Sequence, residues 1–264
     1  MLVVDFHIHP TKDIVPWVYD WIEGFLPEGE DPRRYLEEVL TKEGILRFLD
    51  DNGLDYAVAL AELNPRCSGT ITNDELADFC RDIDRLIPFA DVNPHMTADP
   101  AKELERCVRD MGFRGVKLYP VYQLFYANDH FLYPLYEKAQ ELGVPVMVHT
   151  GPGLPFADPA LLIARARAFP EVTVVLAHAG AAIVTGNAIA AAEVCDNIML
   201  ETSWCRPGDI AVMIARVGAD RVMFGTDAPN NVTAEIAKYD ALDLTPTVRA
   251  AVLGGTATRV FGLS

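Results

Sequence analysis

The chain has 264 residues, half of them apolar and 23% charged, with a formal net charge of −16. That composition supplies a hydrophobic core and excludes a disordered chain, while the acidic balance excludes nucleic acid and anionic lipid surfaces as natural partners. Five scattered cysteines with no C-x-x-C pair argue against a disulfide framework or a cysteine zinc site. With no basic leader and no apolar run of about 18 residues, the expectation is a soluble, cytoplasmic protein.

Eight short apolar runs recur, at residues 2–7, 55–60, 86–91, 115–119, 145–149, 173–178, 197–201 and 221–225. Several are nearly continuous Val, Leu, Met and Ala, as in strands buried on both faces. Helical patterns lie between and after them, over 33–51, 73–85, 100–111, 131–142, 159–169, 181–194, 207–217 and 233–241. Stop signals such as Asn52-Gly53, Met111-Gly112 and Leu142-Gly143 close several of these. Eight strand–helix units predict an α/β fold, a parallel sheet closed into a (β/α)₈ TIM barrel, for which about 250 residues suffice. A doubly wound open sheet is the competing fold, but no glycine-rich phosphate fingerprint follows the first strand. One domain, residues 1–264, is the economical reading. Residues 10–32, with Trp17, Tyr19, Trp21 and Phe25, form an insert that serves as a lid or a subunit interface, and residues 245–264 form a helical tail.

Four of the six histidines, His7, His9, His149 and His178, fall at or just beyond the end of a predicted strand. In a barrel those ends converge on one mouth, where such enzymes place their chemistry. His7 and His9 are two apart, so an extended chain puts both imidazoles on one face, an arrangement that suits a divalent ion. Alone, H-x-H is equally well read as two hydrogen-bonded core histidines. Here the fifth and sixth strands also end in histidine, His149 and His178, and the eighth ends in Asp227. A buried unpaired imidazole or carboxylate costs several kcal/mol, on the order of 2–7, and a shared metal removes that cost.

The stretches Val4-Asp5-Phe6-His7-Ile8-His9-Pro10, Gly115-Val116-Lys117-Leu118-Tyr119-Pro120, His149-Thr150-Gly151, His178-Ala179-Gly180, Gly225-Thr226-Asp227 and the final Leu253-Gly254-Gly255-Thr256 run resemble the amidohydrolase superfamily. The resemblance spans essentially the whole chain. It is nearest to the amidohydrolase-related branch, which also holds non-oxidative decarboxylases similar to aminocarboxymuconate-semialdehyde decarboxylase. It implies a metal-dependent hydrolase type of barrel in which His7, His9, His149 and Asp227 hold one divalent metal ion. Zinc is the first expectation, and manganese, iron or cobalt suit the same donors. It further implies that His178 contacts substrate or metal-bound water and that Asp227 takes a proton from that water, so both are catalytic candidates.

Alternation on the fourth strand puts Gly115, Lys117 and Tyr119 on one face, and that face should be the barrel interior. Lys117 and Tyr119 are therefore substrate-binding candidates together with His178. For Lys117 a carboxylated bridge between two metals, as in binuclear superfamily members, and a side chain reaching bulk water both stay open. Glu201 could touch substrate or steady a ligand; His95, His130, Asn230 and Asn231 are weaker candidates. The leading expectation is a hydrolase of a small organic substrate. The rival is a decarboxylase or hydratase of a carboxylated aromatic or dienoic acid, and a metal-binding barrel without catalysis is the third reading. The only partner expected beyond a small-molecule substrate is a second copy, since a homodimer is the base-rate state.

Overall fold

The eight apolar runs become the eight parallel strands of one sheet in the computed structural model, which describes residues 1–228 and 231–263. They are β1 (Val4–Ile8), β2 (Tyr56–Leu60), β3 (Leu86–Asp91), β4 (Gly115–Leu118), β5 (Val146–His149), β6 (Val174–Ala177), β7 (Ile198–Glu201) and β8 (Val222–Met223). Each pairs with the next in chain order. The Phe6 N–H donates to the Phe224 carbonyl at 3.0 Å and the Asp227 N–H to the His7 carbonyl at 2.8 Å, which ties β1 to the end of β8 and closes the barrel. Asn230 and Ser264 lie outside the described residues. Among the described residues no helix is long and apolar enough to cross a membrane.

Alternation sorts the strand residues into two apolar layers. Val58, Phe89, Met147, Val175, Met199 and Met223 fill the interior, whereas Ala57, Val116, Val148, Leu176, Leu200 and Val222 pack outward against the helices. The tail helix Thr256–Phe261 seals the interior layer: Phe261 stacks on Phe6 at 5.3 Å and meets Phe89 edge-on at 5.8 Å. Gly115 is needed there, because a Cβ would sit 2.3 Å from the Phe89 ring.

Several boundaries depart from the sequence reading. The helix expected over 33–51 is two, Pro32–Val39 and Lys42–Asp51. Thr41 breaks it by capping the second helix, its hydroxyl accepting the Gly44 N–H at 2.9 Å. The helix expected from 181 starts at Thr185, since Ala181 and Ala182 adopt left-handed φ. A three-stranded antiparallel sheet, Asp13–Ile14, Gly69–Ile71 and Glu62–Leu63, was not expected. Strands of two or three residues carry no readable period.

Candidate metal centre

The first strand does not deliver His7 by simple alternation. Val4 and Phe6 face the interior core, which would turn His7 outward. The register slips between Asp5 and Ile8, three steps on β1 matching two on β2. This bulge re-aims His7 inward and leaves Ile8 in the outer layer. The His7 N–H donates to Asp5 Oδ1 at 3.0 Å. Asp5 also accepts the Thr226 N–H and hydroxyl at 3.0 and 2.7 Å, pinning the β8 end beside β1. His178 and Asp227 are turned by left-handed backbone at φ 63° and 65°. Non-glycine residues hold such angles only where the surroundings enforce them.

His7, His9 and Asp227 meet directly. His7 Nε2 lies 3.1 Å from His9 Nε2 and 2.9 Å from Asp227 Oδ1, and His9 Nε2 lies 3.2 Å from that same oxygen. His178 joins them, with ligand atoms of His7, His178 and Asp227 all within 4.8 Å of one another. Glu201 Oε2 accepts His7 Nδ1–H at 2.9 Å, so the His7 Nε2 that faces the cluster is a bare lone pair. Ser203 donates its hydroxyl to Glu201 at 3.0 Å and therefore accepts from His178 Nδ1–H at 2.8 Å. His178 Nε2 is then an acceptor, filled by His149 Nδ1–H at 3.1 Å. His149 Nε2 is left as a buried lone pair without a hydrogen-bond partner. Several lone pairs and a carboxylate facing one another want a cation. Ligand atoms about 2.1 Å from a common ion stand roughly 3.0–3.4 Å apart, close to the 2.9–3.2 Å found among His7, His9 and Asp227. The residues fit a divalent ion.

Electrostatics agree. Burial would raise the Asp227 pKa, but His7 and His178 beside it hold its carboxyl well below the usual range. Burial depresses His149 strongly and takes His178 down to about 3, so both rings are neutral ligands or donors. Burial also lowers Lys117 to about 8, against the raising effect of Asp227 and Glu201. Its Nζ stands 3.2 Å from His7 Nε2, and the side chain is fully buried, so it does not reach bulk water. His9 is raised to about 9, burial being outweighed by Asp227 and by Glu62, 3.5 Å from Nδ1. Gly225 makes room for this network: a Cβ there would lie 2.5 Å from Glu201 Oε1 and 3.0 Å from the His7 Cβ. Gly225→Ala is expected to cost about 1–3 kcal/mol in urea unfolding. A variant as stable as the parent would show that the Glu201–His7 packing tolerates the methyl group.

Beside the cluster, Asp91 is buried and accepts only neutral donors, Gln123 Nε2 at 2.8 and 3.1 Å and the Leu63 N–H at 2.7 Å. Burial pushes its pKa up from 3.8 to about 7. A carboxyl raised on folding adds stability that is complete below pH 3.8 and is lost as pH rises through about 7. Relative to Asp91→Asn, the wild type should therefore lose on the order of 4 kcal/mol between pH 4 and pH 8. Urea midpoints of the two proteins at several pH values measure this. A difference independent of pH would rule the linkage out.

Above the cluster opens a cavity of about 260 Å³, near the small end of the roughly 300–1,000 Å³ usual for small-molecule sites. His7, His9, Lys117, Tyr119, His149, His178 and Asp227 all line it, with Glu62, Tyr122 and, from the insert, Trp17, Val18, Trp21 and Ile22. Among the described residues Lys117 is its one long-chain cation and no arginine lines it.

The fold and this centre place the chain among known proteins. A family model described as amidohydrolase matches residues 4–263. The chain belongs to the amidohydrolase family. This amidohydrolase is similar to the 2-keto-4-carboxy-3-hexenedioate hydratase of Sphingobium sp. strain SYK-6, 26% identical in an alignment 203 positions long that covers 60% of this chain and 60% of the relative. In structure it resembles an uncharacterized TIM-barrel protein of Bordetella bronchiseptica, 22% identical, with a TM-score of 0.82 over 99% of both chains. It also resembles 5-carboxyvanillate decarboxylase of Novosphingobium aromaticivorans, solved with manganese and 4-hydroxy-3-methoxy-5-nitrobenzoic acid. That match is 18% identical, with a TM-score of 0.72 over 99% of this chain and 96% of the other. These two likenesses show the barrel fold.

In this amidohydrolase His7, His9, Lys117, Tyr119, His149, His178 and Asp227 all reach the same cavity, although His149 touches the cluster through His178, and the weaker candidates among the described residues do not line it. Tyr119 lines the wall but spends its hydroxyl on the Ala61 carbonyl at 2.7 Å. His95 is exposed and its N–H donates to Asn93; His130 is exposed too. Glu201 is the anchor of His7. Glu62 was missed, although it follows the apolar β2 as Asp227 follows β8. It accepts Thr11 Oγ1 at 3.1 Å and the Ser68 hydroxyl. Burial would raise its pKa, but His9 and the hydrogen bonds from Ser68 and Asn64 bring it down to about 2.

Proposed function

We propose that this amidohydrolase is a metal-dependent, non-oxidative decarboxylase of a small ring-bearing monocarboxylic acid. One divalent ion would be held by His7, His9, His149 and Asp227. The observation that carries this reading is the pairing of the histidine–carboxylate cluster with a cavity walled by Trp17, Trp21, Tyr119 and Tyr122 and containing one long-chain cation, Lys117. A flat apolar ring with a single carboxylate matches that wall. The ion supplies Lewis-acid polarisation of substrate oxygens when bound; zinc and manganese both suit the donors.

The chain's own residues do the rest. Lys117, buried beneath the pocket, offers positive charge to the substrate carboxylate, and neutral His178 orients a substrate oxygen. Asp227, ionised at rest, would take the proton of a substrate hydroxyl and pass it to the ring carbon as that carbon's bond to the carboxylate breaks and carbon dioxide leaves, the hydroxyl regaining a proton from solvent. The insert's aromatic side chains exclude water, which favours release of a neutral gas from a charged ground state. A hydratase is the second reading, favoured by the Sphingobium relative. That relative's name denotes a tricarboxylate, and a cavity with one long-chain cation would leave most of such a charge unmatched. Hydrolysis, the first expectation from the sequence, has neither the hydratase nor the decarboxylase behind it.

The test is carbon dioxide release from a panel of hydroxybenzoates by protein loaded with Mn²⁺ or Zn²⁺. Release that stops on chelation and returns with either ion is the expected result. Turnover of aryl esters or lactones without carbon dioxide would restore the hydrolase, and water addition to an unsaturated keto acid would establish the hydratase.

A further inference from the structure

Asp227 leaves the barrel with its two oxygens in different hands. Oδ1 faces His7 and His9, whereas Oδ2 accepts the indole N–H of Trp204 at 2.7 Å. A carboxylate in a desolvated site can rotate about its Cβ–Cγ bond and offer either oxygen or both; a donor fixed behind it removes that freedom. Trp204 is fixed. Its backbone sits in the left-handed region at φ 64°, where its N–H donates at 3.1 Å to the buried Glu235. Its ring is boxed by two side chains of the insert, Trp21 at 5.7 Å and Phe25 at 5.8 Å between centroids. Trp21 lines the substrate cavity, which the Trp204 ring does not.

The geometry assigns Trp204 as the positioning residue of Asp227: its indole N–H holds Oδ2 so that Oδ1 alone faces the histidines, and Trp21 and Phe25 hold the indole there. The insert that covers the cavity thereby sets the orientation of the carboxylate beneath it. This rests on the reading of Asp227 as a metal-holding carboxylate and is independent of which reaction follows. Trp204→Phe keeps an aromatic ring in the box and deletes the donor.

The experiment measures Mn²⁺ affinity by chelator competition on the full chain, with circular dichroism for fold, in Trp204→Phe, Phe25→Leu, their double variant and Asp227→Asn. Trp204→Phe is expected to bind Mn²⁺ about 10-fold more weakly or worse. Where a hydroxybenzoate is turned over, its kcat should fall while KM stays within about twofold, because the indole does not line the cavity. Phe25→Leu should weaken Mn²⁺ binding in the Trp204 background and add nothing in the Trp204→Phe background, since its effect passes through the indole. A folded Trp204→Phe with parental Mn²⁺ affinity, beside an Asp227→Asn that has lost it, overturns the inference and spares the site. An Asp227→Asn with parental affinity removes the site and the inference together. If Trp204→Phe does not fold, Phe25→Leu decides: reduced affinity supports the positioning role, and parental affinity overturns it.

Discussion

Asparagine at Asp227 is expected to lower turnover by about 10²–10⁴-fold, the range for loss of a proton-transferring group, while the barrel stays folded. The substitution changes charge and one atom, not shape. Its amide can be placed two ways, and both are wrong for the site. With nitrogen in the Oδ1 position, an N–H₂ group occupies the His7 Nε2 lone pair as a donor and leaves the His9 Nε2–H without its acceptor. With nitrogen in the Oδ2 position, it meets the Trp204 indole N–H, donor against donor. Either way the negative charge that offsets a cation is gone. The backbone bond that closes the barrel, from the Asp227 N–H to the His7 carbonyl, is retained, so a near-parental circular dichroism spectrum should accompany the lost activity. Unchanged turnover would end the proton-carrying role proposed for this residue.

The second large effect is at Glu201, which is fully buried and gathers four donors. Oε2 accepts His7 Nδ1–H, the His178 N–H and the Ser203 hydroxyl, and Oε1 accepts the Ser203 N–H at 2.6 Å. Burial would raise its pKa, but the hydrogen bond from His7, the proximity of His178 and the Ser203 N–H take it down to about 2. In Glu201→Gln the amide oxygen can replace only one carboxylate oxygen, and the N–H₂ group then confronts at least one buried donor. That costs about 1–3 kcal/mol; Glu201→Ala, which strands every donor, should cost about 3–5 kcal/mol. His7 also loses the charge that keeps its proton on Nδ1, so metal affinity should fall about 10–100-fold. The pH dependence has a definite sign. A carboxyl depressed on folding adds stability that is present above its ordinary pKa of 4.5 and is lost as pH falls toward 2. That acid limb should shrink in Glu201→Gln. Urea unfolding and chelator competition, each at pH 3 and pH 7, test both parts. A variant with parental stability and parental metal affinity would remove Glu201 from the site.

The sequence by itself determined the barrel and the residues at its mouth. A strand that is apolar on both faces can only be central in a parallel sheet. A polar residue following such a run must emerge at the strand's end, where the eight ends converge. That logic located His7, His9, His149, His178 and Asp227, and the alternation Gly115-Lys117-Tyr119 put Lys117 inside. Only the tertiary structure decided how these side chains are aimed and held. The bulge on β1 that turns His7 inward, the left-handed angles of His178 and Asp227, and the chain from Glu201 through Ser203 and His178 to His149 all depend on contacts between residues distant in sequence. The Trp204 bond to Asp227 spans 23 positions and its ring contact with Trp21 spans 183. Local periodicity records which face a residue prefers, but orientation within a site is set by partners that meet only when the chain has closed on itself.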